Sequence, residues 1–250
     1  MIDGGVASHP SLANAAIEQH GFAGAARPTG HGTAVASLLV GRLGAFQGAA
    51  TGAQLLVADV YGANPAAGSA SQIVNALDWL AAKRAQVINI SLAGPPNKLV
   101  QGAIRAVQAR GIELVAAVGN DGPAAPPLYP AAWPGVVGVG AVDGKLRLLA
   151  EGARGPQVMF VAPGADMAAA ASGTRGFAPV RGTSFAAPFV AGLLAASYQA
   201  ASPDGARAAI ARLVATARDL PQAPRDGIGR GLVAEKLRTS PDDVDLARAR

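Results

Sequence analysis

A serine stands at the start of a long apolar segment, in a position suited to nucleophilic chemistry. Residues 182–188 read Gly-Thr-Ser-Phe-Ala-Ala-Pro, and the apolar residues after Ser184 predict a buried helix over 184–201. Pro188 falls early enough in that helix to be tolerated. The hydroxyl of Ser184 would lie at the positive end of the helix dipole, where a negatively charged oxygen is stabilised. The same pattern also fits a serine that only caps a core helix.

A nucleophilic serine needs a base, and the chain has three histidines. His31 lies between two glycines in residues 29–33, Thr-Gly-His-Gly-Thr, where a second mostly apolar helix begins. His9 precedes Pro10 in a turn-like stretch, and His20 precedes a glycine, as at the end of a helix. We therefore interpret His9 and His20 as surface residues and His31 as the candidate base.

Two aspartates compete for the role of the acid that orients the histidine. Asp3 follows Ile2 and precedes two glycines, so its carboxylate would stand at the end of a short strand, and Asp59 also ends an apolar run. Asp3 is the preferred acid, although an ordinary turn aspartate would look the same. Asn120 follows the apolar run 113–118 and could donate its amide hydrogen to an oxyanion or be a turn residue.

Short runs rich in valine and isoleucine predict the strands that would position these residues. The runs are 55–60, 87–91, 113–118, 136–142 and 158–162. Amphipathic patterns predict helices at 71–84, 99–110 and 204–216. Strands that alternate with helices indicate an α/β fold with a mainly parallel central sheet. In such a sheet a site forms at the carboxyl ends of the strands, where Asp3 and Asn120 would lie.

Composition predicts one folded domain over 1–237 and a polar, flexible tail over 238–250. Hydrophobic residues make up 50% of the chain, which argues against disorder, and the lack of cysteine excludes disulfides and thiolate metal sites. The net charge of +5 comes from scattered arginines without a basic run, so nucleic acid is not an expected partner. The sequence predicts neither a signal peptide nor a transmembrane segment.

Five short motifs resemble those of the subtilisin-like serine peptidases, or subtilases. They are Asp-Gly-Gly at 3–5, Gly-His-Gly-Thr at 30–33, Ser-Leu-Ala-Gly at 91–94, Gly-Asn at 119–120 and the segment around Ser184. Their order along the chain is that of the family. The resemblance extends from Asp3 to about residue 235, and it implies a three-layer fold with helices on both faces of the sheet.

The resemblance also implies a serine endopeptidase that acts on polypeptides without a cofactor. Asp3, His31 and Ser184 would form the catalytic triad, while the amide of Asn120 and the backbone N–H of Ser184 would bind the oxyanion. The substrate would run as an extended strand beside Ser91, Leu92, Ala93 and Gly94. The loop 64–69 would form the opposite wall of the substrate cleft. The primary specificity pocket would be lined by Ala116, Ala117, Val118, Gly119 and Leu128.

The chain departs from the family pattern at three places. Only Met1 and Ile2 precede Asp3, so the first strand is short, whereas the family has a longer strand and often a pro-segment upstream. Residues 41–48 contain no carboxylate, so we expect no metal at the calcium site of many relatives. Leu128 stands where the family often has glycine. Together with Val118 it predicts a narrow pocket that prefers small or medium apolar residues. The family resemblance implies a secreted or cell-envelope location.

Two other functions fit parts of the sequence. A non-catalytic module with the same fold could bind extended peptides or a protein partner. An esterase of the α/β-hydrolase type would need Gly-x-Ser-x-Gly and a histidine after the serine. Ser184 lies instead in Gly-Thr-Ser-Phe-Ala, and no histidine follows it. The esterase is therefore the weaker of the two alternatives.

Overall fold

The computed structural model describes residues 1–64, 68–198 and 202–247. In chain order its strands are β1 (Ile2–Asp3), β2 (Ile17–Gly21), β3 (Arg42–Leu43), β4 (Phe46–Gln47), β5 (Leu55–Asp59), β6 (Val87–Ile90), β7 (Glu113–Ala117), β8 (Val136–Val142), β9 (Phe160–Pro163), β10 (Met167–Ala170) and β11 (Phe177–Val180). Its α-helices are α1 (Gly30–Val40), α2 (Ala70–Ala82), α3 (Lys98–Ala109), α4 (Thr183–Ser197), α5 (Pro203–Thr216) and α6 (Arg225–Ile228). Within the described ranges, no helix combines the length and the apolar character needed to cross a membrane.

Seven strands form one parallel sheet in the order β2-β5-β1-β6-β7-β8-β9. The short strand β1 lies in the interior of this sheet, with Ile2 beside Ala58 of β5 on one side and Ile90 of β6 on the other. Asp3 is the register partner of Asp59, so the two aspartates end neighbouring strands at the same edge. The remaining described strands form two antiparallel hairpins, β3–β4 and β10–β11.

Helices cover both faces of this sheet, and β7 shows how the two cores arise. Val115 and Ala117 belong to the core that contains α1 and α4, whereas Leu114 and Ala116 belong to the core that contains α2 and α3. A strand buried on both faces needs apolar residues at successive positions, which is why β7 and β8 read as apolar runs. The three-layer arrangement confirms the predicted fold class.

The predicted elements agree with the observed ones in the middle of the parallel sheet and differ at its edges and in the two hairpins. Strands β5, β6, β7 and β8 begin at the predicted residues. The strand β2 was missed because it lies at the edge of the sheet and carries Glu18, Gln19 and His20. Of the helix predicted over 184–201, residues 199–201 lie outside the described residues, as do residues 65–67 of the loop 64–69.

The segment 238–247 is attached to the hairpin β10–β11 and is not the loose tail that its polar composition predicts. Ala168 donates its backbone N–H to the carbonyl of Thr239 at 3.0 Å. Phe177 donates to the carbonyl of Asp245 at 2.9 Å and accepts from Ala247 at 2.7 Å. Composition misses this attachment because the partners are backbone groups of a hairpin edge. Residues 248–250 lie outside the described residues.

Glu113, the first residue of β7, carries a buried carboxyl group whose ionisation should oppose folding. Burial raises its pKa to about 7, although the N–H of Leu114, 3.2 Å from Oε1, acts in the opposite direction. In the unfolded chain the group ionises near pH 4.5. The stability that the protonated carboxyl group provides is therefore fully present below about pH 4.5. It is lost as the pH rises through 7, where the folded protein must ionise the buried group.

We expect Glu113→Gln to raise the Tm at pH 8 by roughly 5 °C and to leave it nearly unchanged at pH 4. Glutamine keeps the shape of the protonated acid but cannot ionise, so the penalty at high pH disappears. Thermal unfolding of parent and variant at the two pH values tests this. An equal gain in Tm at both values would show that ionisation is not the cause.

Candidate active site

Asp3 is held at the end of β1 by close backbone packing. Its side chain is buried, and Oδ1 accepts the N–H of Gly4 at 2.7 Å. A Cβ at Gly4 would lie only 2.4 Å from Oγ1 of Thr29, the residue that caps α1. Glycine therefore allows the start of α1 to approach the end of β1, and this approach brings His31 to the carboxylate.

His31, near the start of α1, contacts the carboxylate of Asp3. Its Nδ1 lies 2.9 Å from both Oδ1 and Oδ2. Nδ1 therefore carries the proton that is donated to the carboxylate, and Nε2 is left as the basic atom. Burial lowers the pKa of His31. The hydrogen bond to Asp3 and the negative charge of that residue raise the pKa by a larger amount, so the net shift is upward. The side chain is 40% exposed, which leaves the ring accessible from the cleft.

Ser184 lies in the first turn of α4, and the residues on either side of it contact His31 and Asn120. The ring of Phe185, the next residue, is 5.1 Å from the ring of His31. Gly182 has a φ of 138° and forms the cap of α4, and a Cβ there would lie 3.3 Å from Nδ2 of Asn120. The amino ends of α1 and α4 therefore meet at one place, with the amide of Asn120 next to them.

The side chain of Asn120 is oriented by the backbone that precedes Ser184. Its Oδ1 accepts the N–H of Thr183 at 3.0 Å. The Oγ1 of Thr183 in turn accepts the N–H of Gly119 at 3.2 Å. Because Oδ1 is engaged with a donor, Nδ2 is directed towards Gly182 and can donate to a group bound beside Ser184.

The side chain of Ser91 is hydrogen-bonded to the backbone of Ser184. Its hydroxyl donates to the carbonyl of Ser184 at 3.0 Å and accepts from Nδ2 of Asn89 at 2.8 Å. Both residues are buried, so the side chain of Ser91, predicted to bind substrate, faces the helix α4 instead. Asn89 is not recognisable as a site residue from the sequence, because an amide within an apolar strand forms no motif on its own.

The other candidate acid and bases have structural partners. His9 is buried with Nε2 2.9 Å from the carbonyl of Gly176, which corrects its predicted surface position. His20 is exposed as predicted, but it lies in β2 and stacks on Trp79 rather than ending a helix. The carboxylate of Asp59 accepts, at 2.7, 2.9 and 2.9 Å, the backbone N–H groups of Arg27, Tyr61 and Gly62. Within the described ranges, no cluster of three or more metal-ligating side chains could hold a metal ion.

An apolar cavity of about 320 Å³ lies beside the segment 92–94. Its larger side chains are those of Tyr61, Ile73, Leu92, Val100, Tyr129 and Trp133. Ala93 is exposed at the edge of the cavity, whereas the N–H and C=O of Gly94 are bonded to Tyr129 at 2.9 Å each. A peptide strand could therefore pair with the backbone at Ala93 more readily than at Gly94.

The residues predicted to line the primary pocket divide into two groups. The side chains of Ala116, Ala117 and Val118 are buried in the two cores of the sheet. All three residues are at most 2% exposed, and the narrowing of the pocket by Val118 stays a prediction. Leu128 packs directly on Gly119, and a Cβ added to that glycine would lie 2.6 Å from Cδ1 of Leu128. Leu128 is therefore the side chain that fills the space beside Gly119.

Comparison with known proteins shows the family of this chain. The model of the subtilase family, Peptidase_S8, matches residues 1–231. The chain belongs to the subtilase family. The M-protease of Shouchella clausii (strain KSM-K16) is 33% identical to it over 201 residues, which are 78% of this chain and 52% of that protein. Subtilisin Savinase of Lederbergia lenta is 33% identical over the same length, with 73% of that protein covered.

The solved structures extend the likeness to almost the whole of this subtilase. The structure described as "S41 Psychrophilic Protease" superposes with a TM-score of 0.81 at 28% identity, and the match covers 92% of this chain and 88% of that one. This subtilase nevertheless spans only about half the length of M-protease. The superposition and the family match establish a subtilisin-like α/β domain.

Proposed function

We propose that this subtilase is a serine endopeptidase that cleaves peptide bonds through an acyl-enzyme intermediate. The observation that carries the proposal is the contact of His31 with both carboxylate oxygens of Asp3 at 2.9 Å. The same histidine ring lies against Phe185, directly after Ser184. These contacts support the inference that an acid, a base and a hydroxyl face one cleft at the carboxyl edge of the sheet.

The proposed reaction has two halves. In the first, Oγ of Ser184 attacks the carbonyl carbon while its proton passes to Nε2 of His31. The amide of Asn120 and the backbone N–H of Ser184 bind the negative oxygen that forms. His31 then gives the proton to the leaving amine as the C–N bond breaks. In the second half a water molecule, deprotonated by His31, cleaves the ester and restores Ser184.

Asp3 has two roles in this proposal. Its hydrogen bond to Nδ1 keeps the proton on that nitrogen, so Nε2 faces Ser184 as a base. Its charge stabilises the imidazolium that forms during attack, in agreement with the upward shift in the pKa of His31 that remains after the opposing effect of burial. The carboxylate needs no proton of its own at any step.

The substrate of this proposal is an extended polypeptide. Its backbone would pair with the exposed edge at Ala93, and pairing of backbone groups makes little demand on the peptide sequence. A side chain of the peptide on the acyl side would enter the apolar cavity that Tyr129 and Trp133 border. No cofactor enters the reaction, because the proton transfers and the charge stabilisation are supplied by side chains and backbone.

The test is covalent labelling with a serine-directed fluorophosphonate, followed by peptide mapping of the adduct. We expect one adduct, on Ser184, and none in the Ser184→Ala variant. Labelling should fall when a peptide substrate is added in excess, because both compete for the same hydroxyl. A protein that binds extended peptides but forms no adduct would instead be a non-catalytic module with this fold.

Leu128 should restrict the peptide residue that enters the primary specificity pocket beside Gly119, on the acyl side of the cleaved bond. With Leu128 packed on Gly119, a large aromatic residue would have to displace its methyl groups, so we expect the parent to prefer small or medium apolar residues. Leu128→Gly should shift the preference towards Phe and Tyr by about 1–3 kcal/mol, or roughly tenfold or more in kcat/KM.

A peptide library profiled with both forms measures this shift, and Leu43→Gly is the matched control. Leu43 lies in the hairpin β3–β4 and is 40% exposed. Its replacement should leave the profile unchanged. If the parent already favours Phe and Tyr and Leu128→Gly has the same profile, then Leu128 does not border this pocket.

A further inference from the structure

The loop that carries Asn120 is bonded to a second segment of the chain. Gly122 donates its backbone N–H to the carbonyl of Glu151 at 2.8 Å, and Ala153 donates to the carbonyl of Gly119 at 3.1 Å. Residues 119–122 therefore contact both the segment 151–153 and the residues that precede Ser184. The amide of Asn120 is placed by both neighbours.

An ion pair joins these two neighbours directly. The guanidinium of Arg181 donates to the carboxylate of Glu151 through two bonds, from Nε to Oε1 at 2.6 Å and from Nη2 to Oε2 at 2.9 Å. Such two-bond pairing fixes orientation as well as distance. Arg181 directly precedes Gly182, so its backbone leads straight into the turn that carries Ser184.

The contacts close a ring around the oxyanion site. One side of the ring is the bond from the N–H of Thr183 to Oδ1 of Asn120, at 3.0 Å. The other side runs from Gly122 to the carbonyl of Glu151 and through the carboxylate of Glu151 to Arg181. Moving the segment 181–184 away from the loop 119–122 requires both sides to break.

We propose that the ion pair of Arg181 and Glu151 is a positioning device for oxyanion binding. It holds the two segments at the separation at which Nδ2 of Asn120 and the N–H of Ser184 can bind one oxygen atom. An oxyanion needs donors at about 2.7–3.1 Å, so a small displacement of either segment costs rate. This inference rests on the proposed peptidase function.

The exposure of the pair supports a role in positioning more than in global stability. The side chain of Arg181 is 52% exposed and that of Glu151 is 32% exposed. Ion pairs this accessible to water contribute little to the free energy of unfolding. The bonds to Arg181 lower the pKa of Glu151, so the pair stays charged at neutral pH, where the proposed base must be neutral. Its geometry therefore persists under working conditions.

The test is a double-mutant cycle between this pair and Asn120. Arg181→Gln and Glu151→Gln should each lower kcat for a peptide substrate by roughly tenfold and change KM by less than about twofold. Arg181→Lys keeps the charge but loses the two-bond geometry, so its loss should be smaller. In the Asn120→Ala background, Arg181→Gln should change kcat by less than about twofold, because the group that it positions is gone.

The matched control is Lys83→Gln. Lys83 also forms a partly exposed ion pair between elements, with Glu18 at 2.7 Å, and its neighbours lie in β2 and α2, away from the cleft. This variant should have the kcat of the parent. The Tm of every variant, measured in parallel, distinguishes local repositioning from loss of fold.

Three results would overturn the positioning role. One is an equal loss of kcat from Arg181→Gln in the parent and the Asn120→Ala backgrounds. Another is a rise in KM at constant kcat that depends on charged residues on the leaving side of the peptide, which would make the pair a specificity element. The third is an unchanged kcat in both Arg181→Gln and Glu151→Gln when the parent is active. Failure of the proposed function would look different, because the parent would then form no fluorophosphonate adduct.

Discussion

Removing the hydroxyl of Ser184 or the imidazole of His31 should abolish nearly all peptidase activity. We expect Ser184→Ala and His31→Ala each to lower kcat by roughly a millionfold, a size borrowed from subtilisin itself. The double variant should be no slower than either single variant, because attack and proton transfer occur together. Single-turnover rates with a chromogenic peptide, supported by labelling, measure the losses.

The matched control for His31 is His20→Ala. Both histidines are accessible to water, but His20 stacks on Trp79 at the far edge of the sheet. Its replacement should leave kcat unchanged. Activity that survives His31→Ala and disappears with His20→Ala or His9→Ala would refute the assignment of the base.

The pH profile gives a second check on His31. A neutral imidazole is required as base, so the rate should rise with pH through the pKa of His31. Burial lowers that pKa, but the bond to Asp3 and its charge outweigh the effect, so the midpoint should lie above 6.5. Asp3→Asn removes the charge and should move the midpoint down. A rate that falls over the same pH interval would indicate a mechanism based on carboxyl groups.

The second large effect should come from the amide of Asn120. Asn120→Ala should lower kcat by about a hundredfold to a thousandfold with little change in KM, again a magnitude taken from a subtilisin. The reason is that Nδ2 binds the oxygen only once it carries negative charge, so the lost interaction belongs to the transition state.

Asn75→Ala provides the control for this substitution, since Asn75 is an exposed residue of α2. It should leave both kinetic constants unchanged. Asn120 also accepts the N–H of Thr183, so the Tm of the variant must be measured beside its kcat. A large rise in KM with unchanged kcat would mean that the amide binds the ground state of the substrate instead.

Local sequence determined much of the fold and the chemistry of the candidate site. The apolar run of β8 is a strand between residues 136 and 142, because its length and its valines are typical of a strand buried on both faces. Gly4 after Asp3, Gly32 after His31 and Gly182 before Ser184 are informative for a similar reason. A Cβ at Gly4, Gly32 or Gly182 would collide with or crowd a neighbouring group, so the residue type itself reports close packing.

Tertiary structure shows why Asp3, and not Asp59, meets His31. Both aspartates end strands and are register partners, so the sequence preference for Asp3 depended on the two glycines that follow it and on the resemblance to the subtilases. Asp59 is engaged by three backbone N–H groups, whereas α1 begins directly over Asp3. Two other contacts were also revealed only by the tertiary structure. They are the pairing of Arg181 with Glu151 and the attachment of residues 239–247 to β10–β11. Each depends on groups distant along the chain that meet only after the sheet and its two helical layers have formed, and no local pattern of residue types encodes such a meeting.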